Sequence, residues 1–76
     1  MPIDSRHLPK RFGKTVRELR LAAELTQMEF AEKADLSLNY VGEIERGEKM
    51  ASLETIIRLS AGLDITGAEL LAKAKL

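Results

Sequence analysis

An all-α fold, a compact five-helix bundle, follows from three features of this 76-residue chain. Apolar residues make up 45% of it and aromatics only 4%, so the core must come from Leu, Ile, Val and Ala, which suits packed helices better than a β-sandwich. Apolar positions recur at helical spacing in several segments, and none alternates as a strand does. Ser or Thr stands ahead of four of those segments, twice with Glu three residues on, the signature of a helix N-terminus.

Residues 1–8 read as a flexible N-terminal arm, and the whole of 1–76 as a single domain. Pro9 suits the first turn of the first helix, where its missing N–H is no loss. Phe12, Val16, Leu19 and Ala23 form an apolar stripe along that helix, and Lys10, Lys14 and Arg17 share its opposite side. That basic trio is either a solvated face or a set of phosphate contacts. Thr26-Gln-Met-Glu29 is a capping box, so a second helix starts at about Gln27. Phe30, Ala31 and Ala34 mark its inner side.

Asp35 stands where the chain must reverse, a place that often demands a left-handed backbone, which Asp tolerates. Leu36 fills the turn, and Ser37 can cap a third helix with Val41 and Ile44 turned inward. Gly47 can end that helix with a positive φ. Ser52 opens a fourth helix with Leu53, Ile56, Ile57, Ser60 and Leu63 on one side, its end loosened by Gly62 and Asp64. Thr66-Gly-Ala-Glu69 is a second capping box and opens a fifth helix carrying Leu70, Leu71 and Ala74.

Helices two and three are joined by a tight turn, with the small residue Ala31 where they must cross, which is the pattern of a helix-turn-helix. That arrangement serves to push its second helix into the major groove of DNA. Projected as a helix, residues 38–46 place Asn39, Gly42, Glu43 and Arg46 on the outer side, flanked by Leu38 and Tyr40. Asn can bind adenine bidentately, Glu can accept from cytosine, and Leu can meet a thymine methyl. Gly42 would let the helix approach the groove floor. Glu43 either selects cytosine or repels DNA and suppresses wrong sites. Gln27, at a helix start, is placed to grip a phosphate together with backbone N–H groups. Thr26 can assist, or act only as a cap. Arg46 and Lys49 flank the end of the third helix and are expected on the DNA backbone.

The net charge of zero hides an asymmetry. Residues 1–20 hold six basic side chains against Asp4 and Glu18, a balance of +4, while the remaining 56 residues sum to −4. A basic end of this kind points to a polyanion, with modest non-specific affinity overall. The chain has no cysteine, which excludes disulfides and thiolate metal sites and suits a reducing cytosol. His7 is the only histidine, too few for a His-based metal site. No apolar run approaches the roughly 18 residues that span a bilayer, and no signal-peptide core is present. An enzyme is unsupported: there is no cysteine, no second histidine, no glycine-rich phosphate loop and no carboxylate pair in a pocket.

Phe12-Gly-x-x-Val-Arg-x-Leu-Arg, Leu25-Thr-Gln-x-x-Phe-Ala, Leu36-Ser, Tyr40-Val-Gly-x-Ile-Glu-Arg-Gly47 and Ser52-Leu-x-x-Ile-x-x-Leu together resemble the Cro/cI-type (XRE) helix-turn-helix family, over roughly Phe12 to Leu71. Within it, the chain looks most like the controller proteins of restriction-modification systems, small homodimeric activator-repressors acting on their own promoter. The resemblance implies a lambda repressor-like DNA-binding domain in which Gln27 grips phosphate and Ser37, Leu38, Asn39, Tyr40 and Glu43 face the bases. It also implies that Arg20 pairs with Glu45 beneath the third helix, and the projection agrees, since Arg20 falls beside the apolar stripe. Asp35 stands where a turn glycine is commoner, and Leu38 where many relatives are polar.

Helices four and five carry more apolar surface than one small bundle needs. Ile57, Leu63, Ile65 and Leu71, with Leu76, cannot all face one small core, so some of them are expected to supply a homodimer interface that sets two recognition helices about 34 Å apart on a pseudo-palindromic operator; core burial within the monomer is the competing explanation. The expected partners are double-stranded DNA, a second copy of the chain and, for an activator, RNA polymerase; no cofactor, small-molecule ligand or membrane is expected. With no second domain for an inducer, control would work through protein concentration, in the cytoplasm and on the nucleoid. The competing reading is an antitoxin-type or protein-interaction helix-turn-helix module, which the acidic part of the chain and Glu43 favour.

Overall fold

The computed structural model describes residues 5–76 and contains five helices: α1 (Leu8–Ala22), α2 (Gln27–Ala34), α3 (Leu38–Glu45), α4 (Leu53–Gly62) and α5 (Gly67–Lys73). No strand occurs among the described residues. Of the expected arm, residues 1–4 lie outside the described residues, and Leu8 is already the first residue of α1, with Pro9 in its first turn.

Short side chains decide where each helix begins. Thr26 Oγ1 accepts the N–H of Glu29 at 3.0 Å, and Glu29 Oε1 accepts the N–H of Thr26 at 2.8 Å. Thr66 and Glu69 repeat this arrangement at α5, at 3.0 and 2.9 Å. Ser37 and Ser52 cap α3 and α4 through the N–H of Tyr40 and of Thr55, each at 3.1 Å. Each such cap stabilises its helix by about 1 kcal/mol, which matters for helices of only seven to ten residues. Asp35 ends α2 in the left-handed conformation at φ 55°.

Phe12, Val16, Phe30, Val41, Ile44, Leu59 and Leu70 form the buried centre, closed by Ala31, Ala34 and Ala74. The inner face of α1 is Phe12, Gly13, Val16 and Arg20; Ala23, expected to continue the stripe, is the exposed C-cap. Helix α1 packs on α3, α2 on α3 and α4, and α5 on α4 and α1. At Gly13 the α1 and α3 backbones nearly touch: a Cβ there would collide with the carbonyl oxygen of Ile44 and stand 3.0 Å from that of Glu45.

Helix α4 keeps Ile56, Ser60 and Leu63 of its expected inner side against the core but not Leu53 and Ile57. Its buried side chains are Thr55, Leu59 and Ser60, whereas Leu53 is 73% exposed and Ile57 57% exposed. Gly62, the last residue of α4, is buried against Phe30 and Ala34 of α2, and Asp64 beyond it takes a left-handed φ of 57°. Close approach at that point turns the side of α4 bearing Leu59 and Gly62 inward and leaves Leu53 and Ile57, one turn apart, facing out. Leu63, Ile65 and Leu71, expected with Ile57 at a subunit contact, are half-buried against the chain's own core.

Candidate nucleic-acid interface

One ionic cluster joins α1, α2 and α3. Arg20 reaches from α1 to the last residue of α3, where its Nε donates to Glu45 Oε2 at 2.7 Å and its Nη2 to Oε1 at 3.0 Å. Its Nη1 donates to the carbonyl oxygen of Leu25 at 2.9 Å, tying in the loop before α2. Both side chains are almost wholly buried. Glu45 Oε1 also accepts from Gln27 Nε2 at 3.1 Å. Gln27 is thus half-buried and held at the start of α2 by a residue of α3. The capping box takes the N–H of Glu29, leaving the N–H groups of Gln27 and Met28 without intrahelical acceptors, the usual setting for an anion at a helix N-terminus. The hydroxyl of Thr26 is occupied as the cap acceptor.

Along α3, Ser37, Leu38 and Asn39 are exposed, and Asn39 has no hydrogen-bond partner among the described residues. Val41 and Ile44 are fully buried beneath them. Tyr40, expected to face bases, is half-buried on the flank of α3. Its ring packs on the core, and its hydroxyl lies 3.2 Å from Thr55 Oγ1, which also accepts from Ser52 Oγ at 3.0 Å. Tyr40 precedes Val41 and stands four residues before Ile44, so its side chain falls on the flank of the helix nearest α4.

The C-terminal end of α3 is a mixed-charge patch. Arg46 pairs with Glu48, and Lys49 Nζ lies 3.4 Å from the half-buried Glu43. The hydrogen bonds from Arg46 hold the Glu48 carboxyl below the usual carboxylate range and push the guanidinium value up. Gly42, expected to face outward as an opening for the groove floor, is covered by the Arg46 guanidinium. The two candidate lysines of α1 part company. Lys10 lies alongside Gly47 at the end of α3, whereas Lys14 lines a cleft of about 340 Å³ with Arg11, Thr15, Glu18, Lys73 and Lys75.

The sequence reading missed Gly13, which sets how near α3 sits to α1, and Glu48, which competes for Arg46. Gly13 depends on a backbone some thirty residues away, and Glu48 on a pairing across two residues that the Gly47 turn makes possible. No helix among the described residues is long and apolar enough to cross a membrane.

A helix-turn-helix family model matches residues 16–70. Control protein C.MunI of Mycoplasma sp is 41% identical over 61 residues, which are 79% of this chain and 82% of that relative. Control protein C.BamHI of Bacillus amyloliquefaciens is 36% identical over 61 residues, 79% of this chain and 75% of the relative. Among solved structures, the restriction-modification controller protein C.AhdI from Aeromonas hydrophila is similar with a TM-score of 0.79 and 42% identity, over 82% of this chain and 94% of that one.

Proposed function

The chain belongs to the helix-turn-helix family, and from that premise we propose a controller-type transcription regulator that binds a pseudo-palindromic operator as a homodimer and governs its own promoter. The family is one of DNA-binding regulators, not enzymes. The observation that carries the reading is the exposed run Ser37, Leu38 and Asn39, held above a fully buried Val41 and Ile44 and clamped from behind by Arg20 and Glu45. A helix presented in this way enters a major groove with its N-terminal residues against base edges.

In this reading Asn39 and Leu38 meet bases, with Ser37 and Glu43 beside them, while Gln27 and the N–H groups at the start of α2 grip a phosphate. Tyr40 positions α3 through Thr55 instead of touching a base. Arg46, Lys49 and Lys10 line one end of α3 for backbone contact; Lys14 lies further along α1 and meets a phosphate only if the duplex bends toward the α5 end. Thr26 acts as a cap. The helical body works as one domain. Two copies meet through the exposed stripe Leu53 and Ile57 of α4, with Leu63, Ile65 and Leu71 contributing their uncovered edges. Such a regulator works on the nucleoid in the cytoplasm, and RNA polymerase is the partner an activating role requires.

Footprinting on the DNA upstream of the chain's own gene tests the proposal. Two protected half-sites one helical turn apart are expected, filled cooperatively and lost steeply as salt rises. The antitoxin-type alternative draws support from the cations at the end of α3 being paired with carboxylates already. Absence of salt-sensitive duplex binding, with a protein partner in its place, would establish that alternative.

A further inference from the structure

Arg46 is the C-cap of α3, and the chain itself occupies its guanidinium. Its Nε donates to Glu48 Oε2 at 2.7 Å and its Nη2 to Oε1 at 3.2 Å, the two-pronged arrangement in which a guanidinium best matches a carboxylate. The backbone imposes this pairing. Gly47 turns the chain at φ 74°, its N–H bonded to the carbonyl of Ile44 at 3.0 Å, while the N–H of Glu48 bonds to the carbonyl of Glu43 at 2.9 Å. Those two bonds form a Schellman motif, which anchors Glu48 beside the last turn of α3. From the other side the guanidinium rests across Gly42, where a Cβ would stand 2.8 Å from Nη1. A glycine below and a carboxylate at its edge thus hold a long, flexible side chain in one place, although both Arg46 and Glu48 are more than half exposed.

We propose that Glu48 limits DNA affinity by intramolecular competition, occupying the Arg46 guanidinium so that a backbone phosphate must displace its carboxylate. The inference rests on the DNA-binding reading above. Non-specific binding is almost wholly a matter of phosphates neutralised, so removing one cation from the free surface weakens it in proportion. At an operator, contacts from α3 to the bases bring the backbone into fixed register beside Arg46, and a phosphate replaces the carboxylate. At a random site nothing drives that exchange. Glu48 therefore lowers affinity everywhere: the operator bears the cost of breaking the ion pair, and a random site forgoes the weaker phosphate contact that a free Arg46 would make.

The test compares wild type and Glu48→Gln on a random-sequence duplex and on a duplex selected from a random pool by the wild-type protein. The amide keeps the shape of the side chain and loses its charge. Glu48→Gln should bind the random duplex several-fold more tightly, with the slope of log affinity against log salt steeper by about 0.9, one phosphate's share. Its gain on the selected duplex should be at least as large, and in an Arg46→Gln background the same substitution should have little effect. No gain on either duplex, or an undiminished gain without Arg46, would overturn the proposal while leaving the DNA-binding reading intact. A wild-type protein with no salt-dependent duplex binding would overturn both.

Discussion

Removing Glu45 isolates the energetics of the cluster that holds α3 in place. In Glu45→Ala the Nε and Nη2 donors of Arg20 lose their acceptors, and only the bond from Nη1 to Leu25 remains. Arg20 is 7% exposed, so water cannot readily replace what is lost. Each stranded buried donor costs about 1–3 kcal/mol, or roughly 2–6 for the two. Breaking a buried ion pair by deleting one partner costs about 3–5 kcal/mol, which agrees. A domain of 76 residues is stable by only about 4–11 kcal/mol, so the substitution removes a large part of the total. Urea unfolding followed by far-ultraviolet circular dichroism reads this directly. Replacing Arg20 and Glu45 together by Met should restore most of the stability, because no charge is left buried without a partner. Gln27 would still lack its acceptor, so DNA affinity should fall in a protein that folds. A cost below about 1 kcal/mol for Glu45→Ala, or a double variant as unstable as the single one, would refute the assignment of the pair as an internal strut.

Gly13→Ala should destabilise by at least about 1–3 kcal/mol in the same assay, because its Cβ meets the rigid carbonyls of Ile44 and Glu45 rather than a movable side chain. Tyr40→Phe should cost about 0.5–1.5 kcal/mol through the lost bond to Thr55 and leave base preference in a selected-site assay unchanged. The backbone N–H of Thr26 and of Thr66 holds the Glu29 and Glu69 carboxyls below their ordinary value of 4.5, so the folded state binds these protons less readily than the unfolded chain. That contribution is present above pH 4.5 and fades as pH falls through the lowered folded values; the drop in thermal midpoint below pH 4.5 should be smaller in a Glu29→Gln, Glu69→Gln double variant.

Features governed by neighbours in the chain were legible from the sequence. Thr26 with Glu29, Ser37, Gly47, and Thr66 with Glu69 each act within a few residues, and the helix boundaries follow from them. The inward direction of Phe12, Val16, Phe30, Val41 and Ile44 follows from their spacing. Features governed by packing across the fold were not. The orientation of α4 depends on Gly62 meeting Phe30 and Ala34, and with Leu53, Ile56, Ile57 and Leu59 all apolar the spacing alone admits more than one inner face. Tyr40 lies at the margin between the two sides of α3, and Thr55, fifteen residues further on in α4, decides which side takes it. The pairing of Arg46 with Glu48 instead of a phosphate depends on where the Gly47 turn delivers a carboxylate.

That the exposed strip of α3 reads bases is tested most directly by selecting binding sites from a random duplex pool with wild type and with Asn39→Ala. Asn39 has no partner among the described residues, so its loss should leave the thermal midpoint unchanged. The expected result is loss of preference at one base pair in each half-site, worth about 1–3 kcal/mol of discrimination, with the other positions retained. Unaltered preferences at every position, or a uniform weakening across all sequences, would contradict it.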